Sequence, residues 1–325
     1  MTATRAPLGL DRQQHLRHRL RNLVHTALLI GGMLAILGAC AWILWGPVGL
    51  VWTLAVGGAS LLATPSITPE LVMRLYGARP VAHREFPDGY ALLDELARRA
   101  GLPHTPRLHY IPSSLLNAFA VGNRSRAAIA VTAGLLRGLS GRELAGVLAH
   151  EISHVRHNDL WLMGLADLLS RLTSVMSWIG QLLLLINLPL MLTGAGSVPW
   201  LLVLLLIFAP TVVSLLQLAL SRSREFDADL EAASLTGDPR GLASALARLE
   251  RQQGRYWEEI LLPGRRMPEP SLLRTHPPTG ERVRRLLELE ERPDLAPSPA
   301  LRLAPGHWVH RAGTAPRWRW PGVWY

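Results

Sequence analysis

Residues 148–160 read LAHEISHVRHNDL and contain three histidines and one glutamate at spacings that suit a metal ion. On a helix, His150 and His154 lie one turn apart on the same face, so that their imidazoles can converge on one ion. Glu151 is rotated away by one residue and can reach a water on that ion without being a ligand. In such an HExxH arrangement, zinc lowers the pKa of the water to about 7 and the glutamate takes its proton. The spacing therefore predicts metal-assisted hydrolysis.

The third histidine of the stretch, His157, does not fit the same site. It lies on the same face but two turns from His150, about 10 Å along the helix axis. A zinc–nitrogen bond is only about 2 Å long, so a straight helix cannot bring both imidazoles to one ion. The longer metzincin pattern is excluded as well, because Leu160 occupies the place of its third histidine.

A third ligand has to come from another part of the chain, and SRSREFDAD at residues 221–229 is the best candidate. Glu225 and Asp229 are four residues apart and share one helix face. One carboxylate can bind the ion while the other accepts the free N–H of a ligand histidine. The spacing by itself does not distinguish this arrangement from an acidic face in solvent.

The elements that position these residues are predicted from caps, periodicity and turn formers. Ser140 and Glu143 form a capping box that begins a helix over 140–157. A hairpin is expected through GNRS within 116–128, and two helices should follow residue 226 with a break at TGDP. Further helices are predicted over 88–103 and 279–292, and strands over 107–112 and 127–134.

Two long apolar stretches, 22–69 and 172–221, contain no Asp, Glu or Arg. A helix needs about 20 apolar residues to cross the hydrocarbon core, so each stretch is long enough for two crossings. WGPVG and TGAGSVP supply a break near the middle of each. We expect four transmembrane helices in two hairpins rather than buried hairpins of a soluble helical core. Their expected positions are 24–45, 48–64, 174–193 and 200–220.

Arginines flank the hairpins before the first predicted span and after the last, whereas the two short turns between paired spans are uncharged. The positive-inside tendency then places the N-terminus and both polar regions in the cytoplasm. A competing interpretation is a lipoprotein processing box, ILGAC, ending at Cys40. The apolar run continues directly after Cys40, which favours an ordinary side chain within a membrane helix.

The charge balance does not point to nucleic acid. The chain has 34 basic and 24 acidic residues, and every basic residue is Arg. A GC-rich genome explains an all-Arg composition as readily as a need for bidentate contacts. One cysteine excludes an intrachain disulfide and leaves the redox compartment open. The absence of acidic residues and arginine from the predicted spans argues against a transporter.

The order of membrane hairpin, NAFA, LAHEISHVRHND, membrane hairpin, SRSREFDAD and THPPTGER resembles the HtpX-type membrane zinc metalloproteases. These belong to one gluzincin-like superfamily with the CAAX prenyl endopeptidases. The resemblance covers roughly residues 20–290. It implies one zinc ion per chain, with His150, His154 and Glu225 as its ligands and Glu151 as the general base. By the same resemblance, Asp229 is the aspartate that contacts a ligand histidine, and Asn117, Ala118, Phe119 and Ala120 form a substrate-binding edge strand. His276 and Arg282 are the histidine and arginine near the scissile carbonyl.

The expected fold class is therefore a mostly α integral membrane protein with an α+β zinc protease domain containing a small sheet. The resemblance implies a multi-pass protein of the inner membrane whose protease domain faces the cytoplasm. Its expected partners are polypeptide substrates, misfolded or damaged membrane proteins, and the bilayer, with no nucleic acid. The chain is expected to begin with a basic arm (1–23) and the first membrane hairpin (24–64). The protease domain is expected in two parts, 65–171 and 221–292, separated by the second hairpin (172–220). A Pro/Arg/Trp-rich tail (293–325) follows.

Two alternatives stay open at this point. A non-enzymatic membrane scaffold or chaperone would keep zinc for structure, but such sites normally have four protein ligands, and only three are named here. A prenylated CAAX substrate is the other alternative, although nothing in the sequence marks a lipid-binding chamber. The sequence leaves the natural substrate and the oligomeric state unknown.

Overall fold

A computed structural model describes residues 12–63, 68–194, 200–260 and 279–290, together with two short strands near the C-terminus. The described residues form nine helices and six strands. The helices are α1 Arg12–Ala63, α2 Pro69–Leu75, α3 Pro87–Arg99, α4 Ala133–Gly138, α5 Gly141–His157, α6 Asp159–Leu192, α7 Trp200–Thr236, α8 Pro239–Ile260 and α9 Thr279–Glu290. The strands are β1 Arg79–Pro80, β2 Arg107–Ile111, β3 Ala118–Asn123, β4 Arg126–Thr132, β5 Trp318–Arg319 and β6 Val323–Trp324.

The chain divides into two compact units, one containing Thr68–Leu160 and the described residues from Arg224 on, the other the described parts of Leu10–Ile67 and Trp161–Ser223. The second unit is apolar and helical. Three helices of the described chain are long and apolar enough to cross a membrane: Val24–Ala59, Asp159–Ile186 and Val203–Thr236. Many of their large apolar side chains are exposed in the protein itself, as expected for surfaces that face lipid.

The first of these helices is interrupted where the sequence predicts a break. Gly46 has φ 61° and ψ −146°, and Pro47 follows it inside the assigned span of α1. A side chain added at Gly38 would lie 3.7 Å from the Leu50 side chain. In a straight helix twelve residues span about 18 Å, so the two limbs of α1 fold back on each other at Gly46.

The other two apolar helices extend beyond the predicted spans. The third predicted span covers 174–193, but α6 already begins at Asp159. The fourth covers 200–220, but α7 continues to Thr236. Favourable helical residues such as Leu, Arg, Glu and Ala continue the pattern past the apolar stretch, and no Gly or Pro stops it before Gly237. As a result, the candidate acidic residues at 225 and 229 lie on the same continuous helix as the preceding apolar segment.

The first unit contains a four-stranded sheet in the order β1-β2-β4-β3. β2 and β4 are parallel, and β3 pairs antiparallel with β4 through the predicted GNRS turn. The helices α3, α5 and α8 cover a core of aliphatic side chains that includes Leu93, Leu96, Ile129, Leu148 and Ile152. The predictions for 88–103, 107–112, 127–134, 140–157 and 279–292 are confirmed to within a few residues at their ends.

The capping box of α5 is present as predicted. Ser140 accepts a hydrogen bond from the Glu143 backbone, and the Glu143 carboxylate accepts one from the Ser140 N–H at 2.7 Å. The same carboxylate accepts from Ser244 at 2.6 Å and from Arg248 at 2.8 Å, both on α8. The residue that starts α5 therefore also fixes α8 against it.

Candidate metal centre

The site is built on two helices, α5 and α7, which carry three groups with metal-ligating atoms. His150, His154 and Glu225 offer atoms that all lie within 4.8 Å of one another. Nε2 of His150 lies 3.1 Å from Nε2 of His154 and 3.4 Å from Oε2 of Glu225. Nε2 of His154 lies 3.7 Å from Oε1 of Glu225.

These separations fit a metal. Four ligands held tetrahedrally at about 2.0–2.1 Å from zinc lie about 3.3 Å from one another. The two Nε2 atoms lie 3.1 Å apart, and each has one oxygen of the Glu225 carboxylate at 3.4 or 3.7 Å. Two imidazole nitrogens with one carboxylate are ligands that zinc accepts. Among the described residues, no other group of His, Cys, Asp and Glu has ligating atoms this close together. Three protein ligands leave a fourth position open, which is the arrangement of a catalytic rather than a structural site.

Each of the two candidate ligand histidines has its second nitrogen close to a buried aspartate. Nδ1 of His150 lies 3.1 Å from Oδ1 of Asp229, one turn beyond Glu225 on α7. Nδ1 of His154 lies 3.0 Å from Oδ2 of Asp159, the first residue of α6. The His154 contact is a hydrogen bond, which fixes the ring orientation and leaves Nε2 free for a metal, whereas His150 and Asp229 are paired at ion-pair distance.

The Asp229 contact with His150 agrees with the placement that the sequence favoured for this residue. Burial favours protonated Asp229, but the hydrogen bonds from Arg282 and His150 outweigh it and lower the pKa of the carboxyl. Burial also opposes protonation of His150, yet the bonds to Asp229 and Glu225 raise its pKa to about 10. A metal ion bound at His150 would have to displace this proton.

Asp159 is a site residue that the sequence analysis missed. It is 2 % exposed and lies directly after Asn158, which caps α5 with φ 55° and ψ 32° in the left-handed region. Asn tolerates this conformation better than most residues, and the resulting turn brings the next side chain back under His154. Arg224 on α7 lies 3.7 Å from Oδ1 of Asp159 and also pairs with Asp227. The Asn-Asp pair after a metal-binding helix was the available signal.

Replacing Asp159 with Ala should lower the affinity for zinc by about 10- to 100-fold, the effect usual for a partner of a ligand histidine. The reason is that His154 would lose the group that orients its ring. Zinc affinity can be measured by competition with a chromophoric chelator. The matched control is Asp167→Ala, which removes an exposed carboxylate paired with Arg171 on the same helix, α6. Equal zinc affinity in both variants would refute the role of Asp159.

Arg282 contacts the two acidic residues of α7 at the candidate metal centre. This residue of α9 is 4 % exposed and donates to both oxygens of Asp229 at 2.6 and 2.7 Å. A third nitrogen lies 2.9 Å from Oε2 of Glu225. Burial lowers the pKa of Arg282, but the neighbouring carboxylates raise it by more. The net upward shift keeps the guanidinium charged. Its bidentate contact fixes the two carboxylates of α7 relative to each other.

His157 is not part of the metal group, as the spacing predicts. Its Nε2 lies 3.1 Å from Oε2 of Glu231, two turns beyond Glu225 on α7. The same carboxylate pairs with Arg156 and accepts a hydrogen bond from Ser153. Glu231 therefore ties the end of α5 to α7 and holds the two ligand-bearing helices in register. The other predicted residue of this region, His276, lies outside the described residues.

Glu151 is held at the edge of the sheet. β4 is the sheet partner of β3 among the described strands, and Ala118 pairs with Val131 in this ladder. The backbone N–H of Thr132 donates to the carbonyl of Asn117. Along an antiparallel pair, every second residue bonds to the partner strand and the residues between them point away from it. The backbone groups of Ala118 and Ala120 therefore point to the outer edge. Oε2 of Glu151 accepts the N–H of Ala120 at 2.9 Å. The candidate base and the candidate substrate strand are thus in contact.

The family is shown by comparison with known proteins. The model of Peptidase family M48 matches residues 84–290. The chain belongs to this family. It is 37% identical over 293 residues to a Protease HtpX homolog of Acaryochloris marina, with 85% of this chain and 98% of the relative covered. It is 34% identical over 282 residues to Protease HtpX of Legionella pneumophila, with 82% and 98% covered.

A solved structure, that of S. mikatae Ste24p, aligns with a TM-score of 0.43 and 19% identity. The alignment covers 86% of this chain and 67% of that one. The M48 family match and the HtpX relatives make this chain a metalloendopeptidase, and the three long apolar helices make it a membrane protein. The resemblance stated from the sequence motifs is confirmed.

Proposed function

We propose that this M48 peptidase binds one zinc ion through His150, His154 and Glu225 and hydrolyses peptide bonds with Glu151 as general base. The observation that carries the proposal is that one ligating atom from each of His150, His154 and Glu225 lies within 4.8 Å of the other two, with Glu151 beside them. When bound there, zinc supplies Lewis-acid chemistry that activates water and polarises the scissile carbonyl. Glu151 takes the proton of the attacking water and delivers a proton to the leaving amine.

The substrate backbone is proposed to add to the outer edge of β3, along Asn117, Ala118, Phe119 and Ala120. The N–H and C=O groups of Ala118 and the C=O group of Ala120 face outward for strand addition, while the N–H of Ala120 is bonded to Glu151. Such binding recognises an extended backbone rather than one sequence. It therefore requires a substrate segment that has left its own secondary structure.

The remaining proposed roles concern α9. His276 is proposed to stabilise the oxyanion beside the metal. Arg282 is proposed to fix Glu225 and Asp229 through the contacts described above and, by family resemblance, to lie near the scissile carbonyl. Asp229 is proposed to orient His150.

The biological role that we propose is quality control of misfolded or damaged membrane proteins in the inner membrane. The HtpX relatives and the apolar helices support this role. We also propose four spans, since Gly46 divides the first apolar helix into two limbs. The division of the protease domain by the second hairpin is supported by the compact unit that joins Thr68–Leu160 to residues from Arg224 on. The domain is proposed to face the cytoplasm.

Reporter fusions test this orientation. Fusions after residues 80 and 240 should both report the cytoplasm, because the arginines that flank the two hairpins collect on that side. A fusion near Gly196, in the uncharged stretch between two predicted spans, should report the opposite side. A paired alkaline phosphatase and green fluorescent protein assay gives signals of opposite sign for the two locations. Export of the fusion after residue 80 would contradict the topology and restore the lipoprotein interpretation of Cys40.

Removal of the metal tests the proposed activity. The full-length protein in detergent should contain one zinc per chain and should digest casein. A chelator should abolish digestion, and zinc added back in stoichiometric amount should restore it, because the ligands release the ion without covalent change. Elemental analysis and gel-based digestion are measured on the same samples. Undiminished digestion after complete loss of metal would overturn the proposal.

A further inference from the structure

The short helix α2 exposes an apolar surface that nothing else in the described chain covers. Outside α1, α6 and α7, four large apolar side chains of the described residues are exposed, namely Leu71, Leu75, Tyr76 and Leu287. Three of these four lie within six residues, on α2 and at its C-cap. A single exposed leucine is ordinary, whereas a cluster indicates a contact surface. We call Leu71, Leu75 and Tyr76 the α2 patch.

The packing of α2 on the sheet directs the two leucines outward. Met73 is buried and packs in one cluster with Phe119 of β3. Leu71 and Leu75 are each two residues from Met73, which places both about 160° around the helix from it. The ring of Tyr76 lies 5.1 Å from that of Phe119 and holds the C-terminal end of α2 on the sheet. The exposure of the patch therefore follows from a helix that is fixed in place.

Arginines surround the α2 patch. Arg74 is exposed on α2 itself. Arg107 of β2 and Arg126 of β4 each lie 3.0 Å from the carboxylate of Glu70 on α2, and their side chains are 71% and 60% exposed. Three positive charges against one negative charge give these four groups a net charge of plus two. An apolar patch with a basic border is complementary to the surface of an anionic phospholipid bilayer.

Chain connectivity brings α2 close to a membrane helix. α1 ends at Ala63, and its apolar span extends at least to Ala59. Thr68, the N-cap of α2, follows Ala63 by five residues. Five residues reach at most about 18 Å, so the start of α2 is tethered within that distance of the end of α1. The bilayer is therefore a surface that the chain itself always holds near the α2 patch.

We propose that α2 lies on the surface of an anionic bilayer, with the α2 patch in the interfacial layer and the three neighbouring arginines at the lipid phosphates. Leucine supplies apolar area there, and tyrosine is enriched at this depth because its ring is amphipathic. The packing of α2 on β3 makes the contact an anchor for the sheet. The contact does not depend on the peptidase activity and would remain in a protein that cleaves no peptide.

The test measures the depth of one patch residue in the full-length protein, reconstituted in nanodiscs that contain phosphatidylglycerol. Leu75→Cys is combined with Cys40→Ala, which removes the single native cysteine, and is labelled with an environment-sensitive fluorophore. A lipid with a quencher near the headgroup end of its acyl chain should lower the emission at least about 2-fold, because an interfacial helix buries its apolar face by roughly 5–10 Å. Leu71→Cys provides a second labelling position if Leu75→Cys does not fold.

Two controls isolate the contributions of position and charge. Leu287→Cys labels an exposed leucine of α9 outside the patch, and its emission should not respond to the lipid quencher. Arg74→Gln, added to Leu75→Cys, should lower the ratio of inserted to free label by about 5-fold, the effect of one basic residue at an anionic surface. Arg142→Gln removes an exposed arginine of α5 that pairs with Asp238 and should leave this ratio unchanged.

The same label distinguishes lipid from other partners. A label at residue 75 that is shielded from iodide in water but not quenched by lipid would mean that protein, for example a second copy of this chain, covers the patch. A label that iodide reaches freely in the nanodiscs would mean that nothing covers it. Either result, or equal lipid quenching at residue 287, would overturn the proposed contact. Casein digestion by the same samples reports separately on the proposed peptidase activity.

Discussion

Replacing Glu151 with Gln should reduce peptide hydrolysis by about 100- to 10,000-fold while the protein keeps its zinc. Gln retains the size of the side chain and can still accept the N–H of Ala120, which Oε2 of Glu151 accepts at 2.9 Å. It cannot take a proton from water. Casein digestion and zinc content, measured for both proteins side by side, give the two halves of the expected result. Self-cleavage during purification should stop as well.

A matched control is Glu288→Gln, which removes an exposed charge on α9 that pairs with Arg284 at 2.5 Å. This variant should digest casein at the wild-type rate. A Glu151→Gln protein as active as the wild type would refute the assignment of the base. Loss of zinc from Glu151→Gln would mean that Glu151 is a ligand or supports one.

The second large effect concerns the ligand on α7. The Glu225→Ala variant should have its affinity for zinc reduced by more than the roughly 10- to 100-fold that follows loss of a residue supporting a ligand. The reason is that it removes one of the three proposed bonds from protein to ion. Arg282 would also lose its contact with Oε2 of Glu225, now at 2.9 Å. Elemental analysis after gel filtration reports the bound metal, and hydrolysis should fall with it.

Two comparisons sharpen this result. Glu281→Ala removes an exposed carboxylate of α9 paired with Arg285 and should leave zinc at one per chain. Asp229→Ala should weaken zinc binding less than Glu225→Ala, since Asp229 is proposed to act on the ion only through His150, which lies 3.1 Å from it. Full zinc in Glu225→Ala together with its loss in Asp229→Ala would reverse the assignment of the two carboxylates.

The sequence predicted the elements whose signals are local. The capping box at Ser140 and Glu143 marked the start of α5, and the GNRS turn marked the hairpin of β3 and β4. The spacing of His150 and His154 implied convergence, which the 3.1 Å separation of their Nε2 atoms bears out. Helical periodicity and turn chemistry act within a few residues, so one sequence suffices to identify them.

The features that the sequence did not reveal depend on a sharp turn of the backbone and on contacts between residues far apart in the sequence. Asp159 reaches His154 only because Asn158 adopts a left-handed conformation, which the helical pattern of α5 does not encode. The bidentate contact of Arg282 with Asp229 joins residues 53 apart, and no local pattern specifies such a partner. The continuation of α7 through Glu225 was also missed, because the end of an apolar stretch was taken for the end of a helix.

The buried ion pairs around the two histidines set the electrical balance of the site. Among the described residues, the buried charged groups there are the carboxylates of Asp159, Glu225 and Asp229 and the guanidinium of Arg282. These four groups carry a net charge of minus two, of which protonated His150 offsets one charge. A divalent cation that displaced this proton would cancel both. Uncompensated charge in a protein interior costs several kcal/mol per ion in order of magnitude. Any divalent ion restores neutrality equally, so selection among metals falls to the imidazole nitrogens, which favour zinc over magnesium or calcium.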